Sequence, residues 1–462
     1  MATSLTQLLY TARDGLTAQS YGLGVTGQNI SNVNTPGYAR REALLETRAL
    51  GDNAGTVNAA GLRRVTDVFI ERRQLETTGL TSAAEEHDQD LASIEALFND
   101  QSGTGLGSAI DKVFQSFSSL ATNPSDPTTR EQVLNAADDF ATRVNDTADA
   151  VAKASEGLFQ AAQATVQQIN EKAKAIAKLN DQIMAAEASG STAADLRDRR
   201  SQLLLSLSGM VDVRTVTSGN SILVQAAGAT LVEGANANTF GVQLDSAGGL
   251  LLTAAREPGA ATQDITNHLT GGTLAGIRDA RDVDLVAVSK KLDQFAFDVG
   301  TAINTQHAAG FGLDGATGRN LFDLTAGPSG AARAIKLSAD VAGNPDAIAA
   351  SSSATTVPGG SDNAAALSAL SRSQIASGGT RTASDAYGDI VGDVASRRSA
   401  STQMLEARKA ISSQVDAMSE SMSGVSLDEE FVNLTKFQRA YQASARLLTT
   451  ADQLLQELIQ RI

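Results

Sequence analysis

The spacing of apolar residues changes several times along the chain, and each change marks a different kind of segment. Over residues 130–188 apolar side chains recur at helical spacing, and some stand seven residues apart, as do Val144, Val151 and Leu158. Pro127 precedes this tract and suits the first turn of a helix. The pattern predicts one or two long bundle helices here, followed by a return helix over residues 193–207.

Beyond residue 209 the pattern is typical of an antiparallel β domain. Short runs rich in Val, Leu and Ile alternate with Gly, Asn and Asp turn signals up to residue 270. Helical spacing returns over residues 273–303, β or loop texture over residues 310–358, and helical spacing again up to residue 422. The predicted fold is therefore α+β and mainly α, with a β domain inserted into a discontinuous bundle of long helices.

The last segment has a coiled-coil pattern. Its seam steps alternately by three and four residues, at Phe431, Leu434, Gln438, Tyr441, Ala445, Leu448, Asp452, Leu455, Ile459 and Ile462. Most of these positions are apolar, and Ser426 with Glu429 has the spacing of a capping box just before them. A helix with such a seam needs a second helix to pack against.

The N-terminal segment carries a matching seam. It runs through Leu5, Leu9, Ala12, Leu16, Gln19, Leu23, Thr26, Ile30 and Val33. Four glycines interrupt it, and each weakens a helix by about 1 kcal/mol relative to alanine, so this helix requires packing. Two interpretations fit the pattern. Either the terminal helices close an ordinary bundle, or they are disordered in the monomer and become ordered on assembly.

These patterns divide the chain into three predicted domains, and its two ends belong to the same one. The domains are a terminal coiled-coil domain (1–40 and 425–462), a helical bundle domain (41–208, 271–310 and 361–424) and an inserted outer β domain (209–270 and 311–360).

A polar run over residues 29–41 ends the N-terminal seam. Pro36 disfavours helix at the residue before it, and Pro36-Gly37 indicates a type II turn with a positive φ at the glycine. More hydrogen-bonding side chains than a helix stop requires stand around this turn, at Asn29, Asn32, Asn34 and Tyr38. They are candidate groups for joining subunits.

Composition and charge exclude several kinds of function. The formal net charge of −15 argues against nucleic acid or an anionic membrane as a partner. The chain has no Cys, and its three His lie in unrelated segments, so we predict no catalytic, cofactor-binding or metal-binding residues. Residues 1–13 lack the pattern of a cleaved signal peptide, and no stretch approaches the roughly 18 apolar residues of a membrane span.

The motifs at the two ends resemble those of the bacterial flagellar axial proteins, the family of rod, hook and hook-associated proteins. Residues 29–41 resemble the N-terminal motif of this family, and residues 426–446 resemble its C-terminal motif. The Asp-Leu-Arg-Asp-Arg-Arg segment at residues 195–200, the β run near Val232 and residues 302–311 resemble the hook-associated members. A neighbouring axial protein, such as the hook protein or the second hook–filament junction protein, is the alternative.

The resemblance implies structural work in the flagellum, outside the cell. Family members are exported through the flagellar type III apparatus without a cleaved signal peptide, and they self-associate in a ring around a central channel. The implied partners are the hook protein, the second hook–filament junction protein and an export chaperone, with no nucleic acid, membrane or cofactor. The resemblance puts an assembly role on Asn29, Asn32, Asn34, Thr35, Pro36, Gly37 and Tyr38. It puts coiled-coil packing and chaperone binding on Phe431, Leu434, Tyr441, Leu448, Leu455 and Ile459.

Overall fold

The fold is α+β and mainly α, as the sequence predicts. The computed structural model describes residues 2–50, 54–98, 103, 105–190, 192–219, 221–256 and 260–460. The last position of the predicted C-terminal seam, Ile462, lies outside the described residues. None of the described helices is long and apolar enough to span a membrane.

Eleven α-helices lie in the described ranges, and the longest are at the two ends and in the middle of the chain. They are α1 (Ala2–Ser31), α2 (Val68–Ala96), α3 (Leu106–Thr122), α4 (Pro127–Ala188), α5 (Ala194–Ser208), α6 (Thr273–Arg278), α7 (Val286–Ala308), α8 (Ala331–Ala334), α9 (Asp362–Ala369), α10 (Ala383–Ser423) and α11 (Leu427–Gln460). A π-helical turn, Asp279–Leu285, joins α6 to α7, so these three form one continuous helical stretch.

The strands form small antiparallel sheets. They are β1 (Arg41–Leu50), β2 (Ala54–Arg64), β3 (Val213–Ser218), β4 (Ser221–Ala226), β5 (Ala229–Glu233), β6 (Asn236–Ala237), β7 (Thr239–Leu244), β8 (Leu250–Ala255), β9 (Gln263–Asp264), β10 (Phe322–Asp323) and β11 (Lys336–Leu337). Strands β3 to β6 pair in chain order in one sheet and β7 to β9 in a second, while β1–β2 and β10–β11 are two-stranded.

Helix α4 is the longest of the described helices. Its 62 residues make it roughly 93 Å long at about 1.5 Å per residue. The side chain of Asp126 caps its first turn by accepting hydrogen bonds from the backbone of Thr128 and Thr129, and Pro127 occupies that turn as predicted. The tract predicted as one or two helices is therefore a single helix.

Two hydrophobic cores lie along α4. Its N-terminal half, from Val133 to Val151, packs with α3, α7, α9 and the first part of α10. Its C-terminal half, from Ala162 to Ala177, packs with α5, α6 and strands β3, β4, β5, β7 and β8. One helix therefore holds the helical and the β regions together.

The two segments expected to form one β domain lie in different cores. Strands β3 to β8 belong to the second core, whereas buried residues between Leu321 and Ala350 belong to the first. The reason is α7, because Leu292 and Phe295 on that helix pack in the first core and direct the chain that follows towards it. The division of the chain into three domains stays a prediction.

A β-hairpin replaces helix at the start of the region predicted as the helical bundle. Strands β1 and β2 pair from Arg41 opposite Arg64, with a bulge at Ala60 of β2, which lies opposite the step from Leu44 to Leu45. The hairpin packs on α1, where the hydroxyl of buried Thr56 donates a hydrogen bond of 3.2 Å to Asp14. This contact between distant residues stabilises a hairpin that the local spacing did not predict.

Candidate assembly site at the terminal helix pair

The turn at residues 35–38 has the predicted type II geometry. The backbone N–H of Tyr38 donates to the carbonyl of Thr35 at 3.2 Å, and Gly37 has a φ of +74°. The side-chain amide of Gln202, on α5, donates to the carbonyl of Pro36. The positive φ favours glycine at this position, and a Cβ atom there would also displace the exposed side chain of Gln202.

Asn29 closes the loop that contains this turn. Its side-chain nitrogen donates to the carbonyl of Arg41 at 2.9 Å, and its oxygen accepts from the Arg41 backbone N–H at 3.0 Å. The same oxygen accepts from the phenol of Tyr38 at 2.8 Å. Burial raises the pKa of Tyr38, so its phenol remains a donor at neutral pH. The structure therefore brings together two of the predicted residues, Asn29 and Tyr38.

The other predicted residues of this motif make local bonds or face solvent. The side-chain nitrogen of Asn32 donates to the carbonyl of Gln28 at 2.9 Å, and the hydroxyl of Thr35 donates to the Asn32 oxygen at 3.2 Å. Asn34, Pro36 and Gly37 are exposed. These exposed residues are available to a neighbouring molecule, whereas Asn29 serves the internal structure of the loop.

Arg41 anchors the loop to α5. Its guanidinium donates to Asp195 and, at 3.0 Å, to Asp198, and it lies 4.7 Å from the centre of the Tyr38 ring. Arg64, at the end of β2, donates to the same Asp198 at 2.8 Å. Burial alone would lower the pKa of Arg41, but the hydrogen bonds that it donates to both aspartates raise its pKa. Sequence reasoning missed this pairing, although Asp195 and Asp198 stand three apart on one face of a helix.

Arg40 connects the loop to the C-terminal part of the chain. Its backbone N–H donates to the carbonyl of Ser423 at 2.9 Å, and its guanidinium forms an ion pair with Glu429. Its carbonyl accepts from Val65, just before α2, at 2.8 Å. Residues 29–41 therefore join α1, the hairpin, α5 and the start of α11 at one point.

Helices α1 and α11 form an antiparallel pair with a heptad register. Gly15 lies against Ser444, and Gly22 against the ring of Phe437. Asn29 contacts the carboxylate of Glu430, which is buried and has a pKa raised by that burial. Each step of seven residues forward along α1 is thus a step of seven back along α11.

The helix pair has its closest contacts at small residues. A Cβ atom at Gly22 would lie only 2.6–2.8 Å from the Phe437 ring, so the bare backbone makes room for that ring. The most deeply buried residues of α1 and α11 include Ala12, Ala18 and Ala451. Alanine buries little apolar area, so this seam stabilises the pair less than a seam of leucines would.

The residues of the predicted C-terminal seam differ in burial. Leu434, Leu448 and Leu455 are half-buried on the side of α11 that packs on α1. The side chains of Phe431, Tyr441 and Ile459 are 54%, 40% and 70% exposed, respectively. Ile459 is exposed because, in the observed register, it lies beyond the first residue of α1.

Comparison with known proteins agrees with this arrangement. Residues 91–322 match the family model described as the flagellar hook-associated protein FlgK helical domain. Residues 9–38 match a model described as flagella basal body rod protein, and residues 418–461 match one described as flagellar basal body rod FlgEFG protein C-terminal. The matched ends are therefore the two helices that pair in the structure.

Similar proteins span almost the full length of the chain. Flagellar hook-associated protein 1 of Bacillus subtilis is 26% identical, over 98% of this chain and 97% of its own length. The protein of the same name from Salmonella typhimurium is 27% identical, over 98% of this chain and all of its own. The solved structure of the flagellar hook junction protein FlgK from Burkholderia pseudomallei has the same fold, with a TM-score of 0.69 at 17% identity, over 76% of this chain and all of that one. The chain belongs to the FlgK family of flagellar hook-associated proteins and is a structural protein of the extracellular part of the bacterial flagellum.

Proposed function

We propose that the chain forms a ring at the junction between the flagellar hook and the filament, and that its terminal helix pair holds the ring together. As a FlgK protein it is a structural component of that junction. In the ring, α1 and α11 line the inner wall, the helical region forms the next layer and strands β3 to β9 lie outside. The hook protein lies below and the second hook–filament junction protein above.

One observation carries this proposal, namely that α11 exposes large apolar side chains while it buries small ones. Phe431, Val432, Leu447 and Leu454 are all exposed, although the helix is already paired with α1. Large exposed apolar side chains on a long helix mark interaction sites. They support assembly through α11 because neighbouring subunits would cover them.

The residues of the N-terminal turn support the same proposal. Asn34, Pro36 and Gly37 are exposed at the point where α1, the hairpin, α5 and α11 meet. A rigid turn at this point sets the angle between the terminal pair and the rest of the molecule. We infer that the assembly role of this motif is to present the terminal pair at a defined angle to neighbouring subunits.

We infer a structural role without catalysis. The hydroxyl of Ser401 lies 3.4 Å from His87 Nδ1, and Asp284 lies 2.7 Å from His87 Nε2, which resembles a catalytic triad. However, Arg397 donates to the same Asp284 at 2.8 Å, and Ser401 is buried between helices. A nucleophile without access to a substrate cannot act as one, so this network supports helix packing.

We infer that the chain leaves the cell without a cleaved signal peptide and that a flagellar export chaperone holds α11 before secretion. Cleavage of an N-terminal signal would remove residues of α1 that pack on α11. Sequence reasoning expects an uncovered seam in the monomer, but α1 half-covers Leu448 and Leu455 in the structure. The chaperone must therefore bind α11 in place of α1, by the same helix face.

Replacement of two leucines in the seam of α11 tests the chaperone proposal. Leu448→Asp together with Leu455→Asp is expected to abolish both chaperone capture and ring assembly. Gln453→Asp, on an exposed position of the same helix, is the control and should affect neither. Calorimetry of the monomer distinguishes the alternative: a large loss of monomer stability with unchanged chaperone affinity would contradict the proposal.

The ring proposal is tested by electron microscopy of a strain that lacks the gene. The expected result is hooks without filaments, with flagellin in the medium. The full-length chain supplied in trans should restore filaments. Normal filaments in the deletion strain would rule out the proposed junction role.

A further inference from the structure

The outer faces of α10 and α11 both lack a partner within the described part of the chain. Helix α10 packs on α2 and helix α11 packs on α1, each through its inner face. The outer face of α10 exposes Met404, Ile411 and Met418, which stand seven residues apart. The outer side of α11 exposes Leu447 and Leu454, which stand seven residues apart, and Val432 nearer its first turn. Both helices therefore expose apolar side chains that are suited to packing on another helix.

The charges on the two faces are opposite. Lys436, Arg439 and Arg446 are exposed on α11, and none of them has an ion-pair partner among the described residues. On the part of α10 that carries the apolar stripe, Glu406 and Glu420 are exposed and have no ion-pair partner among the described residues, whereas Lys409 pairs with Glu85 at 3.1 Å and Asp416 accepts a hydrogen bond from Gln74 at 3.1 Å. Exposed carboxylates also lie towards the two ends of α11, at Asp428, Asp452 and Glu457, but its middle part carries only the three cations, which are complementary to the two glutamates of α10.

Small residues leave room for the arginines on α10. Ala407, Ala410 and Ala417 are exposed between its acidic edge and its apolar edge. Arg439 and Arg446 stand seven residues apart and so project from one side of α11. Long side chains on one helix can therefore pack over the alanines of the other and reach its glutamates.

The two faces do not pack on each other within one chain. Only residues 424–426 separate α10 from α11, and α11 is held by α1 through its opposite side. Complementary faces that are kept apart in one chain can meet between two chains. A contact between two different surfaces is heterologous, and its repetition around an axis can close into a ring.

We propose that the outer face of α10 in one copy of this chain binds the outer face of α11 in the next copy, and that this contact joins neighbours around the ring. The inference rests on the proposed ring and adds the surfaces that build it. The exposed apolar side chains supply the buried area, and the pairs of arginine with glutamate select the partner surface.

Disulfide cross-linking tests the contact, because the natural chain has no cysteine. Ala410→Cys and Ala443→Cys are introduced together, one exposed alanine on each outer face. Isolated hook–basal bodies, after mild oxidation, are expected to give a ladder of linked copies that collapses on reduction. The control joins Ala443→Cys to Ala164→Cys, an exposed alanine on α4, and should give no ladder.

The outcomes separate this proposal from the proposed function. Normal filaments without a ladder would overturn the contact and leave the ring intact. A single product with another flagellar protein would show that the α11 face binds a different partner, and would also overturn it. Failure of the ring itself would be seen as filaments in the deletion strain, which needs no cysteine variant.

A charge exchange gives an independent test if the cysteines disturb assembly. Arg439→Glu with Arg446→Glu should cause the loss of most filaments, and the addition of Glu406→Lys with Glu420→Lys should restore them. Lys174→Glu with Lys178→Glu, on exposed positions of α4, makes the same change in net charge and should have no effect. The melting temperature of every monomer should stay unchanged. A four-residue exchange that restores nothing would contradict the contact.

Discussion

The first core along α4 and the terminal helix pair are built from different residues. The core buries large side chains completely, among them Phe117, Phe140 and Phe322. The terminal pair buries Ala12, Ala18 and Ala451 and leaves Phe431 and Val432 exposed. Full burial of a large apolar side chain contributes roughly 1.5–3 kcal/mol, whereas an alanine contributes much less.

This difference separates a region that is stable by itself from a region that needs neighbours. The first core buries its apolar side chains within one chain. The terminal pair gains little from its own contacts and offers its larger side chains to other molecules. Local stability is therefore expected to be high along α4 and low at the two ends of the chain.

Limited proteolysis of the free monomer should show the largest contrast. We expect residues 1 to about 35 and 430–462 to be mobile in the monomer and helical in the assembly. A protease should trim both ends and leave a stable middle, as measured by mass spectrometry of the products. Equal protection of the ends and of α4 would mean that the pair closes an ordinary bundle instead.

Removal of an aromatic side chain from the first core should destabilise the middle of the molecule strongly. Phe140 is buried, with ring centres 6.3 Å from Phe295 and 5.7 Å from Phe322. Phe140→Ala should lower the free energy of unfolding by about 3–5 kcal/mol, measured in urea. Phe431→Ala, at an exposed ring of α11, is the control and should leave monomer stability nearly unchanged. A loss under about 1 kcal/mol for Phe140→Ala would contradict a core of this kind.

A branched side chain at the turn should harm assembly more than folding. Gly37→Val puts a β-branched residue at a φ of +74° against Gln202, at a strain cost of about 1–3 kcal/mol. The melting temperature of the middle region and the number of filaments are measured together. Gly327→Val, at a glycine with open space around it, is the control. Normal filaments with a lowered melting temperature would show that the turn serves folding alone.

The substitution of glycine by alanine should have opposite effects on the stability of the terminal helix pair at two positions of α1. Gly22→Ala meets the ring of Phe437, so it should push the helices apart and cost about 1 kcal/mol. Gly24→Ala meets no atom within 4 Å and should stabilise α1 by about 1 kcal/mol through helix propensity. The rate at which a protease cleaves α1 measures the effect of each substitution. Equal effects would show that α1 and α11 do not pack closely in solution.

Part of the pH dependence of stability should arise in the helical region, at Asp90. Burial, with a smaller effect of Glu86, raises the pKa of Asp90 to about 7, and Asp90 Oδ2 has no hydrogen-bond partner among the described residues. Its protonated form is favoured by folding, so stability should fall as the pH rises from about 4 to about 7. The hydrogen bond to Asp284 raises the pKa of His87. Deprotonation of His87 as the pH rises should therefore also lower the stability of the folded protein.

The variant Asp90→Asn tests this assignment. It removes the ionisable group, so the free energy of unfolding should depend less on pH than in the natural chain. At about pH 8 the variant should be more stable by about 1 kcal/mol, after allowance for partial exposure of the carboxylate. Urea unfolding at several pH values measures the effect. Parallel pH profiles for the two proteins would exclude Asp90 as the source.

The sequence by itself predicted the helices at the two ends and from residue 130 onwards, the β region after residue 209, and the family. Heptad spacing in residues 130–188 and at the two ends predicted α4, α1 and α11, because a helix of this length requires a continuous apolar stripe. The Pro36-Gly37 pair predicted a positive φ, since only glycine adopts that conformation freely. These features depend on residues that are neighbours in the chain.

Only the tertiary structure decided which surfaces meet. The hairpin at residues 41–64, the ion pairs of Asp198 with Arg41 and Arg64, and the exposure of Phe431 on α11 all depend on partners far away in the sequence. The spacing of apolar residues locates the stripe of a helix that can be buried to within about one residue. The helix that packs against it decides which side of that stripe is buried. Here the glycines of α1 admit Phe437 and Ser444, and this close approach turns Phe431 towards solvent.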